Sequence, residues 1–278
     1  MGPSLGTVAR LARSNGHTVV ICIFDNVIPH ETRVGDRLLT KYFTASIDRA
    51  VVMSKSVGDD LNGFRKDLPV KFSPHPLFDN YGACVDRDEA MGKLNLERDC
   101  SYLLFFGFIR DYKGLDLLIK AFADNRLRGR KLRLIVAGEF YEDDVPYLNL
   151  IKKYSLEDDI ILFDHFISDN EVSLFFSVAD LVVQPYRSAT QSGVTQIAFH
   201  FEKPMLVTDV GGLREIVPDG KCGYVVPPVA QNITDAIVDF FDNNRSSDFI
   251  EGVRAEKDKF SWDKMTASII EAYCSPSP

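Results

Sequence analysis

LVVQPYRSATQSGVTQIAFHF, residues 181–201, decides the fold. Its first six residues are an apolar run with no alternation, which reads as a strand buried on both faces. Its last nine open a helix that is apolar nearly all round. Between them lies a small polar turn: Ser188, Thr190, Gln191, Ser192 and Gly193. Strand, polar turn and buried helix make one half of a βαβ unit, and the pattern recurs along the chain. Candidate strands fall at 18–24, 50–53, 102–108, 132–138, 160–166, 181–186, 205–209 and 223–227. Candidate helices fall at 36–48, 56–65, 114–124, 146–154, 169–177, 193–202, 231–243 and 262–273, with a further N-terminal helix capped by Ser4. Strands alternating with helices predict an α/β fold, a parallel sheet covered by helices.

Composition narrows the function classes. The 278 residues are 45 % hydrophobic and 26 % charged, ordinary for a globular chain, with a net charge of −8 that argues against a general nucleic-acid binder. The five cysteines form no C-x-x-C pair and the five histidines show no metal spacing, so a reduced intracellular protein with no metal is expected. No run approaches the roughly 20 apolar residues of a membrane span, and no secretory apolar core opens the chain.

A seam lies at VKFSPHPLFDNYGACVDRDEA (70–90), where Pro74, Pro76 and Gly82 precede a charge run. The reading divides the chain into a partial domain with its linker (1–80), a complete doubly wound domain (81–259) and a closing helical segment (260–278). The first block offers two clear strands and the second six. Two strands make a poor domain, so the first block rests on the second or belongs to something larger.

Ligands of open parallel sheets bind outside the carboxyl ends of the strands, so the turns there are the places to look. In FFGFIRDYKGLDLLIKAF (105–122), Gly107 ends a strand and Arg110 and Lys113 precede a helix; two cations there suit a phosphate. The bland alternative is a solvated loop. In the 188–201 stretch, Gly193 lets a ligand approach the first amides of a helix, with the hydroxyls of Ser192 and Thr195 beside them. The alternative is simple N-capping by Ser192, which needs only one polar residue. In MLVTDVGGLREIVPDGKCGYVVPP (205–228), two glycines and Glu215 leave room for sugar hydroxyls, or else form a tight turn with an exposed acid. No G-x-G-x-x-G follows a strand and no Walker motif occurs, which disfavours nicotinamide cofactors and ATPases.

Taken in order, G-x5-KG-x-D-x-L-I-x-A-F (107–122), LIVAGEF (134–140), ILFDHFISDNEVSLFFSVADLVVQPY (161–186) and KPMLVTDVGGLREIVPDGKCGYVVPP (203–228) resemble the donor-binding half of a GT-B glycosyltransferase of family 4. The match is good over 100–230 and looser outside it. ICIFDNVIPHE and DRAVVMSKSVGDDL resemble the later part of the acceptor domain, VKFSPHPLFDNYG the linker, and SWDKMTASIIEAY the helix that crosses back. The resemblance implies two Rossmann-like domains, the first one partial, without its opening strand and glycine-rich loop.

It also implies roles. Lys113 matches the phosphate lysine; Phe108 stands where the family has arginine, leaving Arg110 as a substitute. The family's Glu-x7-Glu motif is absent, and Gln191 and Gln196 lie in that region. Gln191, Ser192, Gly193, Val194 and Thr195 would surround the diphosphate, Gly107 and Glu215 the ribose or sugar, and Phe166 and Ile167 the base. The family's acceptor-side His-Asp reads Phe24-Asp25, with His30 a few residues on as the catalytic candidate beside Asp25. The implied activity is retaining transfer from a nucleotide-sugar donor to a glycan or lipid-linked acceptor, in polysaccharide or lipopolysaccharide biosynthesis. No cofactor, metal or nucleic acid takes part, and the location is cytoplasmic, with peripheral contact at the inner face of the membrane. Two other readings stay open: a nucleotide-sugar-binding fragment or subunit of a split enzyme that needs an N-terminal partner, and a sugar-nucleotide epimerase.

Overall fold

The structure, a computed structural model, describes residues 3–28 and 34–275. The chain folds as two compact units, one of residues 1–76 with 259–278, the other of residues 77–258.

The first unit begins with α1 (Pro3–Arg13), β1 (Ile21–Phe24), α2 (Asp36–Thr44), β2 (Arg49–Val52), α3 (Lys55–Asn62) and β3 (Val70–Phe72). Its three strands pair in parallel in the order β1-β2-β3. Successive side chains of a strand point to opposite faces, and β2 uses both. Ala50 and Val52 join Phe24, Phe43, Ile47, Val57 and Leu61 on one side, while Val51 packs with Met265 and Ala272 on the other. The sequence reading gave this block two strands, and β3 corrects it. Val70, Lys71 and Phe72 are all exposed on a three-residue edge strand close to Pro69 and Pro74. Such a strand carries no apolar run to reveal it.

The second unit contains α4 (Arg87–Lys93), β4 (Ser101–Phe106), α5 (Leu115–Phe122), β5 (Leu132–Ala137), α6 (Val145–Lys153), β6 (Ile160–Phe163), α7 (Asp169–Val178), β7 (Leu181–Gln184), α8 (Gly193–His200), β8 (Met205–Thr208), α9 (Leu213–Ile216), β9 (Gly223–Val226), α10 (Ala230–Asp242) and α11 (Ser246–Lys257). The closing helix, α12 (Trp262–Cys274), belongs to the first unit, where the Arg49 guanidinium donates to the carbonyls of Ala272 and Tyr273. Helices α4 and α11 were not anticipated. The first lies inside a charge run and buries only Ala90 and Met91; the second buries Phe249 and Val253 together with Gly252 and Glu256, too broken a stripe to stand out.

All six strands of the second unit are parallel, in the order β6-β5-β4-β7-β8-β9. The α/β, Rossmann-like fold expected from the alternation is therefore present. Leu115, Leu118, Ile119 and Phe122 of α5 and Ile233, Ile237 and Phe240 of α10 share one core with Leu103, Phe105, Leu134 and Val136 of the sheet. On the other face Phe106 meets Phe176 edge-on at 5.1 Å, and Phe163 meets Phe175 at 4.9 Å. A capping box of Ser168 and Glu171 starts α7. Strand β4 pairs with β5 on one side and β7 on the other, so the strand order reverses there. The turns after β4 and β7 leave in opposite directions and open a crevice at the carboxyl end of the sheet.

One ion pair fastens α4 to the amino-terminal ends of β4 and β7, opposite the crevice. Both Arg87 amino groups donate to the Asp180 carboxylate at 2.9 Å, and the Tyr102 amide donates to the same carboxylate at 2.7 Å. Asp180→Ala strands a guanidinium and a backbone amide, at an expected cost of about 2 kcal/mol. Asp180→Asn, which keeps an acceptor for the amide, should fall between it and the wild type. Urea unfolding followed by far-ultraviolet dichroism measures both; equal midpoints for all three chains would show that the pair contributes nothing.

Candidate functional site

The crevice at the switch point holds two adjoining cavities. One, of about 290 Å³, is lined by residues of the turns after β4 and β7: Tyr112 and Lys113 from the first, and Tyr186, Gln191, Ser192, Gly193 and Val194 from the second, with Phe78 and Ile197 closing it. The other, of about 170 Å³, is lined by Phe106, Gly138, Glu139, Phe166, Ile167, Asp169 and Val172. Tyr81, Gly107 and Phe108 line both.

Backbone contacts between turns set this geometry. Gly114 adopts φ +69°, and a Cβ there would lie 2.1 Å from the Pro185 carbonyl oxygen, so only glycine lets the first turn close on the end of β7. The Arg187 amide then donates to the Tyr112 carbonyl at 2.7 Å, and the Arg187 side chain donates to the Asp111 carbonyl and to Asp116 at 2.7 and 2.6 Å. Gly211, at φ +50°, repeats the device from the other side. A Cβ there would overlap the Ala189 carbonyl oxygen at 1.4 Å, and the next residue, Gly212, donates to Thr190 at 3.1 Å. The two glycines after β8 thus hold the 188–192 turn in place.

Lys113 sits where the turns meet and is only 9 % exposed. Its Nζ lies 5.9 Å from the Tyr186 ring centroid, and a Cβ on Gly107 would fall 3.1 Å from it. That ammonium has neither a hydrogen bond nor an ion pair among the described residues. Burial, reinforced by the nearby Arg110 charge, pulls its ammonium pKa down to about 8. The first amides of α8 open on the same cavity, and helix geometry gives them no intrahelical partner. Ser192 stands at the N-cap position without capping; its hydroxyl pairs instead with the Tyr186 phenol at 3.2 Å. Both positive features therefore face the cavity with no protein anion lining it.

The structure brings Gly107, Lys113, Gln191, Ser192, Gly193 and Val194 together, and Phe166 and Ile167 into the adjoining cavity. Four other expected residues stand outside these cavities. The Arg110 guanidinium stacks 3.9 Å over the Tyr141 ring and lines neither cavity. Thr195 is fully buried, its hydroxyl donating to Gln184 at 3.1 Å and its amide to the Ser192 carbonyl, because the helix turns it towards β7. Glu215 lies exposed on the four-residue α9 and lines neither cavity. Asp25 is exposed in the first unit, and His30 lies outside the described residues.

Sequence reasoning missed Phe78, Tyr81, Tyr112, Glu139 and Asp169, which no local pattern marks. It noted Gln196 only as standing in the region. That side chain is fully buried, and neither amide atom has a partner among the described residues; Gln184 Nε2 is likewise unpartnered. Of possible metal ligands among the described residues, Glu97, Asp99 and Cys100 cluster just before β4, at the end of the sheet opposite the crevice, where Lys131 pairs with Asp99. No helix of the described residues is long and apolar enough to cross a membrane.

Burying the Lys113 charge should cost stability. Its pKa falls from 10.5 to about 8, which corresponds to about 3 kcal/mol. The sign follows from proton binding. Below pH 8 both folded and unfolded chains carry the charge and the penalty acts fully. Between 8 and 10.5 the unfolded chain binds more protons, so stability rises with pH. Lys113→Met should therefore stabilise the chain at pH 7, with the advantage shrinking towards zero by pH 10.5. Urea midpoints of both chains across that range test it, and a variant less stable at pH 7 would refute it.

The family model described as "Glycosyl transferases group 1" matches residues 86–255, more than half of the chain. The glycosyltransferase MJ1178 of Methanocaldococcus jannaschii is 26 % identical over 85 % of this chain and 62 % of its own length. A D-inositol 3-phosphate glycosyltransferase of Xylanimonas cellulosilytica is 24 % identical over 93 % of this chain and 58 % of its own length. The chain thus spans about three-fifths of the length of these curated relatives. Among solved structures, HepE of Anabaena with UDP-glucose superposes with a TM-score of 0.77 at 16 % identity, covering 99 % of this chain and 77 % of that one.

Proposed function

The chain belongs to the glycosyl transferases group 1 family, and from that premise we propose that the crevice of its second unit binds the diphosphate of a nucleotide-sugar donor for glycosyl transfer. The observation that carries this reading is the buried, unpaired Lys113 ammonium facing the first amides of α8 across one cavity. A leaving diphosphate gathers negative charge as the sugar bond breaks, and fixed cations and amide dipoles in a dry site stabilise that charge without reorganising. The second cavity, with Phe166 and Ile167, receives the base. HepE, which shares the fold, was solved with UDP-glucose, in keeping with a donor of this class.

The finer assignments extend the resemblance. We place the chain in family 4, with retention of configuration and a glycan or lipid-linked acceptor of a polysaccharide or lipopolysaccharide route, working at the inner face of the membrane. Asp25 and His30 remain the acceptor-side candidates. A second reading, donor binding without transfer, has its own support: every residue lining the two cavities lies in the second unit.

Calorimetric titration of the folded chain with UDP, GDP and ADP tests the donor site. Saturable binding of at least one diphosphate is expected, weakened roughly 30-fold or more by Lys113→Met, the scale of a lost charge-assisted contact in a dry cavity. Affinity should also fall as pH rises through 8, where the lysine loses its proton. No binding by a folded chain would overturn the proposal. Release of free sugar from a bound nucleotide sugar separates the transfer reading from the binding one.

A further inference from the structure

The smaller cavity carries a charge pattern opposite to its neighbour's. Its only charged lining residues are two acids, Glu139 just after β5 and Asp169 at the start of α7; no lysine, arginine or histidine lines it. Both acids are exposed, and neither carboxylate has a hydrogen bond or ion pair among the described residues. Tyr81 closes the cavity, and burial together with the Asp169 charge holds its phenol above the ordinary range, so it remains a hydrogen-bond donor. Ile167, two residues before Asp169, is nearly buried, and its backbone N–H and C=O are likewise unpaired among the described residues. Phe166 and Phe108 stand at this lining 63 % and 46 % exposed, large rings open to water.

Exposed rings beside a cavity suit the face of a base, and unpaired polar groups suit its edge. Two carboxylates in a pocket meant for an anionic ligand are unfavourable unless the ligand turns hydrogen-bond donors towards them. The bases differ in how many they offer. Guanine presents an acceptor, O6, followed by two donors, N1–H and the N2 amino group, so it meets a backbone N–H and a carboxylate at once. Uracil presents one donor, N3–H, flanked by two carbonyl oxygens, and a carboxylate receiving that proton sets its other oxygen against one of them. Adenine offers its N6 amino group beside the bare acceptor N1. We propose that the donor is a guanine nucleotide sugar, with Asp169 and Glu139 as the residues that select the base. The proposal rests on the donor-site reading above. Solved neighbours with bound UDP share this fold at 16 % identity, and a uracil preference is accordingly the competing outcome.

The test is a competition titration of the full chain with GDP, UDP and ADP, repeated with Asp169→Asn and Glu139→Gln and with inorganic pyrophosphate as the base-free probe. GDP should bind at least roughly tenfold tighter than either rival, the scale of one charge-assisted hydrogen bond. Each variant should narrow that gap and leave pyrophosphate affinity unchanged or raised. Glu139→Gln lies in a loop and keeps the test decisive if Asp169→Asn disturbs the start of α7. UDP or ADP binding as tightly as GDP would overturn the guanine assignment and leave the donor site standing. An undiminished GDP preference in both variants would remove the two acids as its cause. Failure of every diphosphate to bind, pyrophosphate included, would instead overturn the donor-site reading.

Discussion

Lys113 carries a positive charge into the protein without a counter-ion, and the crevice is organised around that imbalance. An unpaired buried ammonium opposes folding, as its pKa of about 8 records. Most folds would remove it or supply a carboxylate. Here the opposite holds, because the first amides of α8 add partial positive charge on the same side and no acid lines that cavity. A field of one sign, fixed by packing, has its energetic use only when an anion arrives. The core of the second unit, six parallel strands between helices, supplies the stability that offsets it.

Such a field works only if its sources stay in place, and the chain fixes them through backbone rather than long side chains. The turns after β4, β7 and β8 are held one against the next. Gly114 meets Pro185, the Arg187 amide donates to the Tyr112 carbonyl, and Gly211 sits against Ala189. Each contact joins residues far apart in sequence through atoms that have little rotational freedom. The cavity walls are therefore part of the scaffold, and a ligand meets amides and an ammonium that need little rearrangement.

The same facts explain what could be read from sequence. The doubly wound sheet was legible because parallel strands are buried on both faces, and runs such as LRLIVA and LVVQ leave no doubt about period. Lys113, Ser192 and Gly193 were legible because topology sends ligands to the ends of β4 and β7, and those turns hold the unusual residues. What failed depends on direction or on distant partners. Thr195 is one helical step from Val194, yet that step turns its hydroxyl to Gln184. Arg110 lies three residues from Lys113 and spends its face on Tyr141, a residue beyond the next strand. Phe78 and Tyr81 come from the proline-rich seam, which looks like a linker until the fold sets it against α8 and β4. Strand β3 was hidden because an exposed three-residue edge needs no apolar pattern.

The two cavities share Tyr81, Gly107 and Phe108 but not their electrostatics. One offers an ammonium and helix amides; the other offers two carboxylates beside exposed rings. A simple anion would gain from the first and be repelled by the second. A neutral aromatic would gain from the rings and leave the ammonium unpaired. Only a ligand with its negative charge at one end and hydrogen-bond donors on a flat edge at the other satisfies both halves together. The glycine at the shared wall leaves room for the ammonium, since a Cβ there would fall 3.1 Å from Lys113 Nζ. On the donor-site proposal, the division of charge across Gly107 acts as a specificity filter, set by where two strands end and not by any single motif.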